Sequence, residues 1–201
     1  MREHEAGASC HRTKGFHMSV TIGYIVGSLS SASINRQVLN ALIALAPQDV
    51  TFTEISIDAL PLYSPDHDAD MPPVARNLKA GVEDADVVIV ATPQYNDSYS
   101  GVAKNAIDWA SRPWGQHSFA GKPTAVTTAS IAPHGGAKAG ALLRDILEFG
   151  TANVMERQLN VHVGEGTFDE NGHPASEELR AEFEQFLDAV ITHAAAQPAT
   201  V

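Results

Sequence analysis

With a single cysteine, Cys10, among 201 residues, the chain can form no intrachain disulfide. At this length it can bury a full core without one. The expectation that follows is a reducing, cytoplasmic setting. Positive charge is scarce too, with 13 Lys and Arg against 24 Asp and Glu, a formal net charge of -11. Nucleic acid requires a basic stripe and an anionic membrane surface a basic patch, so neither is expected as a partner. No apolar run approaches a membrane span, and residues 1–17 lack the apolar stretch of a secretion signal. Also missing are the glycine pattern of a dinucleotide fold and the Lys-Ser/Thr ending of a P-loop. No Gly-x-Ser-x-Gly elbow or paired zinc-spaced histidines appear either, so neither a catalytic set nor a metal site is expected.

What remains is an ordinary globular balance, 44% hydrophobic and 18% charged. Residues 1–18 are polar, aperiodic and rich in histidine, and read as a disordered extension. Residues 197–201 read as a tail, which leaves one domain over 19–196. Within it two periods alternate. Strands are expected at 20–26, 51–57, 86–91, 123–129 and 154–163, and helices at 34–46, 73–84, 102–111, 136–150 and 176–196. Ile34, Val38, Leu42 and Leu45 keep helical spacing in the first helix. Ser176, Glu177 and Glu178 cap the last one and place acidic groups at its positive end. Strands that alternate with helices, including the continuous apolar run Val87-Val88-Ile89-Val90, call for a parallel sheet covered on both faces. Right-handed crossovers and five strands favour an α/β, flavodoxin-like three-layer sandwich with strand order 2-1-3-4-5.

In such a sheet, ligands bind beyond the carboxyl ends of the strands, where the strand order reverses. The loop after the first strand, 27–35, offers hydroxyls at Ser28, Ser30, Ser31 and Ser33, the amide of Asn35, and free backbone N–H groups where Ile34 opens a helix. It reads either as a phosphate cradle, the donors and the helix dipole converging on one anion, or as a serine-rich turn that caps its own helix. Its place after the first parallel strand favours the cradle. The loop after the third strand, 91–101, holds Pro93, Gln94, Tyr95, Asn96 and Tyr99. It reads either as a wall on which a flat aromatic ligand stacks or as a surface turn with half-buried tyrosines. The loop after the fourth strand brings Ser130, Ile131, His134, Gly135 and Gly136. Its small residues let backbone approach a ligand closely, and His134 reads as a proton donor, a ligand contact or neither. A phosphate cradle and a flat-ring wall without a nucleophile or base indicate that a cofactor carries the chemistry.

These residues resemble the NAD(P)H-dependent FMN reductase family, which includes quinone, chromate and azo-dye reductases. The family pattern Gly-Ser-Leu-Arg-x-x-Ser-x-Asn has its counterpart at 27–35. Thr-Pro-Glu-Tyr-Asn corresponds to 92–96, and Gly-x-x-Lys-Asn-Ala-Ile-Asp-Trp to 101–109. The resemblance implies FMN as cofactor, with NADPH or NADH as hydride donor and a small-molecule acceptor such as free flavin or a quinone. It implies ping-pong hydride transfer, the alternatives being a flavodoxin-type electron carrier or a non-catalytic flavin-binding protein. By the same resemblance Ser28, Ser33 and Asn35, with Ser30 and Ile34 beside them, surround the FMN phosphate. Pro93, Gln94, Tyr95 and Asn96 line its ring, and Ser130 and Ile131 border the far edge. Two positions depart from the pattern: Ser30 stands in place of a common Arg, and Gln94 in place of a common Glu. Lys104 and Asp108 are expected to form a structural ion pair, and Ile107 and Trp109 to belong to core or interface. Arg112 is expected either to meet a nicotinamide 2′-phosphate or to brace a turn. A homodimer or homotetramer is implied, with Tyr99 and Trp114 at the subunit boundary.

Overall fold

The apolar run of the third strand divides its side chains between two cores, as a period of two requires. Val87, Ile89 and Ala91 pack on one face of the sheet, and Val88 and Val90 on the other. The computed structural model describes residues 19–196. The sequence-predicted extension, 1–18, with Cys10, and the tail, 197–201, lie outside the described residues. The chain runs β1 (Val20–Val26), α1 (Ile34–Leu45), β2 (Val50–Glu54), α2 (Pro73–Asp84), β3 (Val87–Tyr95), β4 (Ser98–Tyr99) and α3 (Gly101–Ala110). It continues with β5 (Pro123–Ser130), α4 (Ala137–Phe149), β6 (Asn153–Val154), β7 (Leu159–His162) and α5 (Glu177–Ala195). Helices α1 and α5 cover one face, burying Leu39, Leu42, Phe183 and Phe186. Helices α2, α3 and α4 cover the other with Leu78, Trp109, Leu143 and Leu147.

The main sheet is parallel, in the order β2-β1-β3-β5, with β6 and β7 both paired to β5 at the edge. That is the expected flavodoxin-like three-layer order, with seven strands where five were expected. One expected strand, 154–163, is two. Asn153 pairs with Pro123 and Leu159 with Thr127, an offset of 30 against 32, so two extra residues are accommodated between the halves. Such an interruption suits an edge strand, where fewer ladder bonds are lost.

β2 stops at Glu54, short of the expected 57, and a further difference lies at the switch point. The third strand, expected to stop at 91, continues to Tyr95 and turns back into β4. Its pairing with β1 ends at Ala91, but its pairing with β5 runs on to Pro93. Past Ala91, then, β3 has no neighbour on the β1 side, and a proline without an N–H costs no ladder bond there. Asn96 and Asp97 make the turn with φ of 48° and 65°, the left-handed pair that a two-residue hairpin requires and that Asn and Asp tolerate. Where β1 and β3 part, a cleft opens between the serine loop, the β3 extension and the end of β5.

Candidate functional site

The cleft has a volume of about 320 Å3 and three sides. Ser28, Ser30, Ala32, Ser33, Ile34 and Asn35 form the first, Pro93, Gln94 and Tyr95 the second, and Ala129, Ser130 and Ile131 the third. Of the eleven residues that the resemblance sets around the cofactor, ten meet here. The exception is Asn96, which sits in the exposed hairpin turn and is not among the cleft's lining residues.

The first side is built by short-range bonds. Ser33 caps α1, its Oγ accepting the N–H of Arg36 at 3.3 Å. Ser28 Oγ accepts from Ser30 N, and Ser30 Oγ from Ala32 N at 3.2 Å. As the first residues of α1, Ile34 and Asn35 have backbone N–H groups without an intrahelical acceptor, and the helix dipole puts positive potential at that end. Asn35 is 1% exposed, and its carboxamide reaches across to β5. Its Oδ1 accepts the Ala129 N–H at 3.0 Å, and its Nδ2 donates to the Ala129 carbonyl at 3.5 Å. That amide therefore holds the first side against the third. On the outer flank of the serine loop, Arg36 makes a two-pronged pair with Glu54 at 2.7 and 2.8 Å. The hydrogen bond from Arg36 holds the Glu54 carboxyl below its ordinary range.

The second side is fixed by bonds over long sequence distances. Buried Ser100 caps α3, donates its hydroxyl to the Gly27 carbonyl at 2.6 Å, and gives its N–H to Thr92 Oγ1 at 3.0 Å. One serine thus joins the ends of β1 and β3 to the start of α3. Gln94 donates to Asp97, which accepts from Lys138 of α4. Sequence reasoning missed Ser100, Asp97 and Lys138. Only Ser100 carried a local signal, a serine three residues before Ala103 at a helix start.

The third side depends on glycine. Gly135 has φ of 59°, and a Cβ there would lie 2.6 Å from the Asn160 carbonyl carbon and oxygen. The close approach expected of this loop is therefore to the β7 backbone. Thr128 Oγ1 lies 2.8 Å from the Gly135 carbonyl and 2.7 Å from Asn160 Oδ1, which ties loop and strand together. His134 lies outside the cleft lining and accepts the Gly136 N–H through Nδ1 at 3.1 Å. Tyr95, 54% exposed, and Ile131, 79% exposed, stand at an open rim.

Around the cleft, Lys104 and Asp108 form the expected ion pair at 2.6 Å, and Ile107 and Trp109 are buried. Arg112 pairs with Asp68 at 2.6 Å and lies over the Tyr63 ring, 5.2 Å from its centre, so it braces the loop after β2. Trp114 and Phe149 are 86% and 87% exposed beside one another at the ends of α3 and α4. Among the described residues there is no metal-ligating cluster, and no helix is long and apolar enough to cross a membrane.

A phosphate-bearing flat-ring cofactor suits this donor set: an anion end at a helix N-terminus, a cleft flanked by the β3 extension and the end of β5, and an open rim. A family model described as NADPH-dependent FMN reductase matches residues 20–166. A 2-hydroxy-1,4-benzoquinone reductase from Burkholderia sp is 42% identical over 172 residues, covering 85% of this chain and 94% of that protein. A quinone reductase from Pseudomonas putida is 35% identical over 169 residues, covering 84% and 91%. Among solved structures, the flavoenzyme NAD(P)H:(acceptor) oxidoreductase FerB from Paracoccus denitrificans aligns with a TM-score of 0.80 at 35% identity. The alignment covers 87% of this chain and 98% of that one.

Proposed function

Because the chain belongs to the family of NADPH-dependent FMN reductases, enzymes of FMN and NAD(P)H, we propose that it reduces a quinone or similar flat acceptor by a ping-pong mechanism. Bound FMN would supply the redox chemistry of hydride transfer between a nicotinamide and an acceptor. The chain supplies position. Ser28, Ser30, Ser33 and the first N–H groups of α1 would hold the phosphate, while Asn35 keeps α1 seated against β5. Pro93, Gln94 and Tyr95 would line the ring on one side, and Ser130 and Ile131 on the other. With Ser30 where a guanidinium is common, hydroxyls and backbone carry the anion without an arginine fork.

The observation that carries this reading is the cleft's shape: closed on three sides and open at the Tyr95–Ile131 rim. One open face admits one planar molecule at a time, which is the geometry of alternating donor and acceptor. We also propose that the protein works in the cytoplasm as a homodimer or homotetramer, with Trp114 and Phe149 covered by a second copy. Large exposed apolar side chains grouped this way mark association surfaces. Sedimentation of the full chain reads that directly.

The test is an anaerobic titration of FMN-loaded protein with NADPH and then NADH, followed by absorbance. Bleaching by either, with colour restored by a benzoquinone, is the expected result. FMN binding without bleaching would overturn the reductase reading in favour of an electron carrier.

A further inference from the structure

Gln94 stands on the cleft wall with both ends of its carboxamide engaged. Its Oε1 accepts the backbone N–H of Ala139 at 3.3 Å, and its Nε2 donates to Asp97 Oδ1 at 3.1 Å. A backbone N–H only donates and a carboxylate only accepts, so these partners fix which end of the amide is oxygen. Asp97 is anchored in its turn, Oδ2 accepting from Lys138 Nζ at 2.6 Å. This hydrogen bond holds the Asp97 carboxyl below its ordinary range, with the charge of Lys138 and then of His134 acting in the same direction. Lys138 is the second residue of α4, where the helix dipole disfavours a cation; the Asp97 carboxylate offsets that cost.

The hairpin and the start of α4 are thus joined by a short relay, Gln94 to Asp97 to Lys138, with a second strut from Gln94 to Ala139. The relay has a chemical requirement. A carboxylate at position 94 would keep the Ala139 contact but turn its other oxygen toward Asp97 with no hydrogen between them. Lys138, already committed to Asp97 Oδ2, relieves that repulsion only in part.

We propose that Asp97, backed by Lys138, is a positioning residue of this cleft: it dictates an amide at position 94 and sets the stance of the Pro93–Tyr95 wall toward a bound ring. The second half rests on the reading of the cleft as the flavin site. The first half is a property of the folded chain alone.

Four full-length proteins test it: the parent, Q94E, D97N and the exchange Q94E/D97N. Each is melted as apoprotein at pH 5 and pH 8, and FMN affinity is read from flavin fluorescence at the same two values. The charged or titratable groups around position 94 are Asp97 of its own hairpin, Tyr99 across the β3–β4 pair, Lys138 of α4 and His134 before it. Tyr99, Lys138 and His134 are present in all four proteins.

The carboxyl that Q94E introduces would face Asp97, and the repulsion that Lys138 leaves unrelieved should favour its protonated form on folding. Protonated, it donates to Asp97 as the amide does; ionised, it repels. Stability from the protonated form is therefore present at low pH and lost as pH rises through the pKa of that carboxyl in the folded chain. Q94E should melt close to the parent at pH 5 and below it at pH 8, by a margin that the exposure of Asp97 and Lys138 keeps modest, with FMN bound about threefold more weakly at pH 8. In the exchange, the new amide at position 97 donates to the new carboxylate at position 94, and the pH-dependent loss should disappear. D97N alone should lose stability at both pH values, since an amide at position 97 whose oxygen accepts from Gln94 turns its N–H groups toward Lys138 Nζ, donor against donor.

A Q94E protein that melts with the parent at both pH values overturns the inference, as does an exchange no better than Q94E. If Q94E fails to fold at pH 8 while the exchange folds, the inference stands; if both fail, it falls. An apoprotein pattern as expected with one FMN affinity for all four proteins overturns the second half. Should none of them bind FMN, the reading of the cleft fails, and the melting pattern alone still decides the role of Asp97.

Discussion

The two ends of the cleft are built on different principles. At the anion end, Ser28, Ser30 and Ser33 accept from N–H groups two or three residues further on, so a short stretch of chain shapes itself. At the ring end, contacts span the fold: Gln94 to Ala139, Asp97 to Lys138, Thr128 to Asn160 and Ser100 to Gly27. The lesson concerns where function is robust. A locally built cradle survives as long as its own residues do, whereas a wall assembled from four elements depends on their relative placement.

Three substitutions bear on this contrast, beginning with the most damaging. Gly135→Ala puts a methyl 2.6 Å from the Asn160 carbonyl of β7, at a left-handed φ where alanine is strained. We expect a loss of about 3 kcal/mol in urea unfolding, with weaker binding of both FMN and riboflavin, because the ring end itself is displaced. A protein that kept riboflavin affinity would show the ring end to be less interdependent than described.

Ser33→Ala removes a helix cap and should cost about 1 kcal/mol. Its binding signature should be the opposite of the first: FMN weakened, riboflavin unchanged, since only the phosphate end is touched. Equal losses for the two ligands would erase the distinction between the ends.

The smallest effect is expected on the flank. Glu54→Gln breaks a pair with Arg36 whose side chains are 37% and 40% exposed, so the loss should stay below about 1 kcal/mol. The Glu54 carboxyl is held below its ordinary range by the Arg36 hydrogen bond. Its contribution is therefore present above the unfolded-chain value and lost as pH falls through the folded one. Melting the two proteins from pH 7 downward should bring the curves together in acid.

The same contrast explains what could be read from the sequence. The serine loop was legible because Ser28, Ser30 and Ser33 bond only two or three residues along the chain, and α2 begins and ends where its prolines and periodicity place it. The β3 extension was hidden by Pro93, which normally punctuates a strand; it is harmless here only because β1 has already ended. The split between β6 and β7 lies at the polar run Glu156-Arg157-Gln158, which the expectation of a single strand overrides. Asn35 was recognised as a site residue, yet its partner Ala129 lies 94 residues away, so its bracing role was invisible. The Asp97–Lys138 contact spans 41 residues and left no local trace.

Because alternate side chains of β3 serve separate cores, the sheet acts as a partition between two helical layers. The anion end belongs to α1 on one side of that partition, and the hairpin is fastened to α4 on the other. Any molecule lying along the cleft is therefore a tie-rod between the two helical layers. Its binding free energy is added to the cohesion of the whole fold.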